Sequence, residues 1–167
     1  SGTAFPIKGV TRLMVALVAN ETVPSDTKLT IPREALGSAK PKAAETTETF
    51  FAGDLLYPLV MQANAAAAES LVRAYGDGFV DWMNASAKKL DMQSTHFAET
   101  SATSTQNVST AIDLFRLAAY LTNEKSFILD IIRTPSKDLL GNSGTVYSVQ
   151  SAVPAENAMV SVISMPV

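Results

Sequence analysis

The chain has 167 residues, 47% of them hydrophobic and 17% charged, with a formal charge of -3 and a pI near 5.1. That length and composition suit one globular domain with a full core and exclude a disordered chain, and an acidic balance without a basic patch excludes nucleic acid as a partner. Cysteine is absent, which excludes disulfides and thiol catalysis and leaves the redox compartment open. No apolar run reaches the ~18 residues that a membrane span needs, and no signal-peptide pattern opens the chain.

In chain order, the first strong signal is at residues 5–18. Val10, Leu13, Met14, Leu17 and Val18 recur at the spacing of one helical face, the stripe of a core helix. Pro6 stops that helix from running in from the amino side, so it is expected to start near Gly9. Residues 28–31 alternate between Pro24 and Pro32 and predict a short strand. Residues 37–49 carry no period and read as an exposed loop. Asp54 is placed to cap a helix beginning at Leu55.

Phe79, Trp82, Met83, Ala87 and Leu90 form a second helical stripe, with Lys88 and Lys89 near its carboxyl end, where cations suit the dipole. A polar loop follows over 98–107. Ser109 or Thr110 starts the next helix, Thr110 and Asp113 having the spacing of a capping-box variant, and Ile112, Phe115, Leu117, Ala118 and Leu121 supply its apolar face. A short helix is expected at 126–132, ending before Pro135. Residues 145–153 and 158–165 alternate on either side of a turn-like 153–157 and predict an antiparallel hairpin.

Several of these stretches carry a resemblance. Residues 5–18, Phe-Pro-Ile-Lys-Gly-Val-Thr-Arg-Leu-Met-Val-Ala-Leu-Val, resemble the active-site helix Pro-Ile-Ala-Ser-Leu-Thr-Lys-Leu-Met-Thr-Ala-Leu-Val of the D-alanyl-D-alanine carboxypeptidases, the low-molecular-weight penicillin-binding proteins. Residues 54–69 are similar to the family segment that holds its Ser-x-Asn motif. Residues 79–97 and 107–121 resemble its Phe-Val-x-x-Met-Asn and Asn-Val-Ser-Thr-Ala stretches. The resemblance covers residues 5–135 closely and 145–165 loosely. It implies an α+β fold, a helical cluster packed on a small antiparallel sheet, as one domain over 1–167 without the family's amino-terminal hairpin and carboxyl-terminal strand.

The motif positions depart from the family. In Ser-x-x-Lys the serine is the nucleophile and the lysine takes its proton. Here Gly9 stands for the serine and Arg12 for the lysine; glycine has no nucleophilic atom, and arginine stays protonated. Ala63 and Ala65 stand at the Ser and Asn of Ser-x-Asn, with Asn64 between them. Alanine is a strong helix former, so 65–75 is expected to be firmly helical behind a shortened loop. Lys-Thr-Gly falls on Val149, Gln150 and Ser151 when the alignment is anchored at Pro154, or on Asn142, Ser143 and Gly144 when anchored at Gly141; the first is preferred.

Other chemical groups are weaker candidates. Thr11 and His96 match framework positions, and Glu69 and Asp113 read as surface or capping residues. No metal-ligand spacing appears, and no cofactor is called for. Arg12 and Asn64 are the ligand-binding candidates, Arg12 as a cation for a carboxylate or phosphate. The sequence reading is a catalytically inactive relative, a pseudoenzyme acting as a binding or scaffold module. Its expected location, from the resemblance, is outside the cytoplasm in the bacterial envelope. Its expected partners are peptidoglycan fragments or an envelope protein, with a second copy or a partner strand completing the sheet. The alternatives are a hydrolase with a relocated nucleophile and a structural subunit whose sheet a partner completes.

Overall fold

The computed structural model describes residues 2–37 and 46–152. In order it contains β1 (Phe5–Pro6), a 3-10 turn (Lys8–Val10), α1 (Thr11–Thr22), β2 (Lys28–Pro32), a second 3-10 turn (Arg33–Leu36), β3 (Thr47–Phe51), α2 (Ala52–Gln62) and α3 (Ala65–Tyr75). Then come α4 (Phe79–Lys89), β4 (Val108–Ser109), α5 (Ala111–Glu124), α6 (Ser126–Arg133), β5 (Ser136–Leu140) and β6 (Val146–Gln150). The fold is α+β, a helical cluster with small antiparallel sheets.

α1 is the centre. Leu13 to Ala19 are buried without a break, so the helix is covered on every side and not only along the stripe that its spacing predicts. It packs against α2, α3, α4 and α6. Leu55, Leu59, Leu71, Met83, Leu121 and Ile128 fill the space around it.

The strands lie outside this cluster. β1 pairs with β4, Phe5 opposite Ser109. β2 pairs with β3 from Lys28↔Phe51 to Pro32↔Thr47, and β5 pairs with β6 from Ser136↔Gln150 to Leu140↔Val146. The last two pairs are joined where Asn142 N donates to Thr49 O at 2.9 Å.

Four local expectations need correction. The expected loop over 37–49 holds the start of β3, because Glu48 and Phe50 alternate inward with Thr47 and Phe51 facing solvent. Asp54 is not the cap: α2 begins at Ala52, where the chain turns directly out of β3, and Asp54 lies in the first turn. The strand at 146–150 pairs with Ser136–Leu140, across a turn at Gly141 to Thr145, so its partner is the preceding segment; 158–165 lies outside the described residues. Ile112 and Phe115 are exposed, Phe115 at 74%, while Asp113, Leu117 and Leu121 are buried. The buried stripe of α5 is therefore i, i+4, i+8 from Asp113.

Candidate functional site

Ile7 N donates to Asn107 O at 3.0 Å, and Val10 N to Ile7 O at 2.8 Å, which sets the chain into the turn that opens α1. Thr11 is fully buried, and its Oγ1 accepts from Asn107 Nδ2 at 3.1 Å. Asn107 also accepts from Ala98 N (2.8 Å) and Glu99 N (3.2 Å) and donates to Glu99 O (2.9 Å). All four bonding places of this buried amide are filled. Asn107 thus ties the 98–107 loop to the start of α1, a role its place in a polar loop gave no cue to. Thr11 is a packed structural residue, and His96 bonds through its backbone to Val108.

Gly9 is exposed, and a Cβ added there meets no atom within 4 Å. Arg12 is half-buried one turn later. Its Nε is buried without a hydrogen-bond partner among the described residues, and burial holds its guanidinium below the usual arginine range.

The second candidate group lies between α2 and α3. Ala63 closes α2 in the left-handed region, φ 52° and ψ 39°, where a Cβ is unfavourable. Asn64 caps α3: its Oδ1 accepts from Ala67 N at 3.0 Å and its Nδ2 donates to Ala35 O at 2.6 Å. Ala65 is the first residue of α3 and is exposed. α3 spans the expected 65–75, and the break before it is two residues long. Asn64, expected to contact a ligand, has both ends of its amide engaged within the fold.

The end of β6 reaches this junction. Gln62 Nε2 donates to Gln150 O at 2.9 Å, and Ala152 N to Met61 O at 3.2 Å. Val149 is buried, Gln150 exposed and Ser151 half-buried. The structure therefore brings Val149, Gln150 and Ser151 beside the carboxyl end of α2, next to Ala63. Among the described residues, neither Gly9 nor Arg12 makes a hydrogen bond to that group.

Asn142, Ser143 and Gly144, the other third-motif alignment, lie elsewhere, over Glu48. Glu48 is 4% exposed. It is paired with Arg33 at 3.3 Å and accepts from Thr49 N (3.0 Å), Ser143 N (3.1 Å), Ser143 Oγ and Tyr147 OH (3.0 Å). Burial pushes this carboxyl up, and the bonds from Ser143, Thr49 and Tyr147 outweigh it, leaving the group below the usual carboxylate range. Burial, then Glu48, push the Tyr147 phenol up. Gly141 leaves room for the network, since a Cβ there would run into the Glu48 side chain. Sequence reasoning missed this cluster; the available signal was the two-residue period of Glu48 and Phe50.

The sequence pattern of D-alanyl-D-alanine carboxypeptidase matches residues 3–160. The chain belongs to the D-alanyl-D-alanine carboxypeptidase family. A D-alanyl-D-alanine endopeptidase of Escherichia coli is 29% identical over 150 residues, covering 86% of this chain and 48% of the relative. One of Pseudomonas aeruginosa is 36% identical over 124 residues, covering 67% and 38%. Penicillin-binding protein D2 from Listeria monocytogenes, solved with ampicillin bound, superposes with a TM-score of 0.68 at 28% identity, covering 89% of this chain and 63% of that one. A D-alanyl-D-alanine carboxypeptidase from Mycobacterium tuberculosis gives 0.71 at 24%, covering 91% and 59%, and shares the fold. The chain spans less than half of each endopeptidase.

Membership of the carboxypeptidase family corrects one expectation. The sequence reading makes the chain a pseudoenzyme; the family and these relatives carry carboxypeptidase and endopeptidase names. The reading rests on side chains at a few matched positions, while membership is carried by framework over nearly the whole chain, and framework likeness points to an enzyme family. Among the described residues, no cluster of His, Cys, Asp or Glu is arranged to hold a metal. No helix there is long and apolar enough to cross a membrane. Asp113, expected as a surface or capping residue, sits at the Thr110 cap, its N donating to Thr110 Oγ1 at 3.3 Å, and is 2% exposed. It accepts from Ser94 N (2.8 Å) and Thr95 Oγ1 (2.9 Å) and pairs with Arg116 at 3.0 Å. It anchors the end of the α4 loop, where Asp91 takes the left-handed conformation (φ 58°).

Proposed function

We propose that this chain belongs to a protein that works on D-alanyl peptide ends of peptidoglycan outside the cytoplasm, and that the chain itself binds those ends. The supporting observation is the family match over residues 3–160, together with a retained framework at the two places where the family keeps its chemistry. α1 is held from behind by Asn107 and leaves open space at Gly9. The α2–α3 junction keeps a two-residue break with Ala63 left-handed, against alanine's own preference for helix. A backbone held in an unfavourable conformation by its surroundings is common at binding sites.

The test is a nuclear magnetic resonance titration of the labelled chain with diacetyl-lysyl-D-alanyl-D-alanine and with its L-alanyl-L-alanine isomer. Saturable shifts at the start of α1 and at residues 62–66, with the D,D peptide preferred, are expected. Equal response to both isomers, or none to either, would sink the reading. Intact mass after incubation with excess penicillin complements it: an increase by one penicillin identifies acyl transfer within the chain, and its mapped position gives the nucleophile.

A further inference from the structure

The hairpins β2–β3 and β5–β6 meet where Asn142 N donates to Thr49 O, and an open groove of about 300 Å³ lies at that meeting point. The volume is at the lower end of the ~300–1,000 Å³ of small-molecule sites. Phe51, at the end of β3, and Leu140, at the end of β5, both line it and are 48% and 65% exposed. Phe50 gives the lining a fixed part, buried and edge-on against Tyr147 with ring centroids 5.3 Å apart. The polar end is built from both hairpins. Lys28 stands opposite Phe51 in the β2–β3 ladder, and its Nζ donates to Asn142 Oδ1 at 3.5 Å. Among the described residues Lys28 has no ion pair, Asn142 Nδ2 has no acceptor, and no carboxylate lines the groove. The nearby Glu48 lies against Gly141, and its charge is matched by Arg33 at 3.3 Å. The groove therefore presents one net positive charge and a free amide donor beside apolar walls.

We propose that this groove binds a small carboxylate with a flat apolar body, the carboxylate on the Lys28 ammonium and the Asn142 amide, the body between Phe51 and Leu140. A monoanion fits the single uncompensated cation, whereas a phosphate brings about -1.5 to -2 charges against it. A flat body suits a cleft whose walls include an exposed phenyl ring, because stacked or edge-on rings gain more than their buried area. The polar end is set before a ligand arrives, since the Asn142–Thr49 bond fixes the turn that carries the amide, and a site already in place loses less entropy on binding. Such a carboxylate is carried both by free aryl-alkyl acids and by the carboxyl-terminal aromatic residue of a peptide. The lining residues are none of those at the start of α1 or at the α2–α3 junction, so the site stands apart from the function proposed above.

The experiment follows the backbone amide resonances of the whole labelled chain during titration with 3-phenylpropanoate and with its uncharged analogue 3-phenylpropanamide. Saturable shifts at Lys28, Phe51, Leu140 and Asn142 are expected, with the acid preferred about two- to fivefold, the worth of an exposed ion pair. In Lys28→Gln that preference should vanish while the rest of the spectrum keeps the native pattern. In Leu140→Ser both compounds should weaken by at least about threefold with the preference retained, because the apolar wall serves them equally. N-acetyl-L-phenylalanine separates the two sources: tighter binding than 3-phenylpropanoate supports the end of a peptide as ligand, and weaker binding supports a free acid. The site is overturned if the wild-type chain binds acid and amide equally, if Lys28→Gln keeps the preference, if phenyl phosphate binds more tightly than the acid, or if no saturable shift centres on the groove.

Discussion

Glu48 and Arg12 are opposite solutions to a charge drawn out of water. Glu48 is enclosed by Arg33, Ser143, Tyr147 and the Thr49 amide, so its charge is compensated several times over. Neutralising it takes the counter-charge from a buried Arg33 and weakens the acceptor of the Tyr147 phenol. Glu48→Gln is expected to cost about 3 kcal/mol in denaturant unfolding. The pH dependence follows from the lowered carboxyl. The unfolded chain takes up the proton first, near the ordinary value of ~4.3, so the contribution is complete above that pH and is lost as pH falls through the folded value. Stability of the native chain should decline faster below pH ~4 than that of Glu48→Gln. Arg12 has no such compensation among the described residues, so Arg12→Met in the ligand-free protein should raise the melting temperature by a few degrees, the shift that about 1 kcal/mol produces at this length. A lower melting temperature would mean that the guanidinium is better satisfied than its geometry suggests.

At the scale of elements, the α2–α3 junction is stabilised by its cap and strained by its turn. Asn64→Ala removes the bond to Ala67 N and the one to Ala35 O, and about 1–2 kcal/mol of stability should go with them. Ala63→Gly relieves a left-handed alanine and should stabilise by roughly 0.5–1 kcal/mol. The two substitutions in parallel thermal melts should move in opposite directions, and the same sign for both would mean that the break is not held as described. α5 shows how a face can be misjudged. Ile112 and Phe115 have helical spacing with Ala118 and Ala119, yet the buried line runs through Asp113, Leu117 and Leu121. Leu117 and Leu121 are legible in the spacing, but the polar residue at the head of their stripe is not, because Asp113 is satisfied by Ser94, Thr95 and Arg116 rather than by water. Phe115→Ser should therefore change stability by no more than about 0.5 kcal/mol.

Across the whole molecule, the helices surround α1, and two hairpins meet where Asn142 reaches Thr49 and Ser143 reaches Glu48. Gly141→Ala should disturb that meeting point as much as loss of Glu48 does, since its new Cβ competes with the Glu48 side chain for one space. Unfolding of Gly141→Ala and Glu48→Gln, alone and combined, tests this: sub-additive losses are expected of residues that share one network. What the sequence determined by itself was the helical framework. The spacing of Leu13, Met14, Leu17 and Val18, the alanines of α3, the stripe from Phe79 to Met83 and the cap at Thr110 are local signals, and each element formed where its residues asked. The family resemblance was legible for the same reason, being carried by those framework stretches. Only tertiary structure decided which strand pairs with which, that Glu48 is an anchor within an apparent loop, and that Asn64 faces the Ala35 carbonyl. It also decided that Arg12 meets no ion-pair partner among the described residues. These depend on partners tens of residues away, and a one-dimensional pattern records a residue's own preference but not the neighbour that will satisfy it.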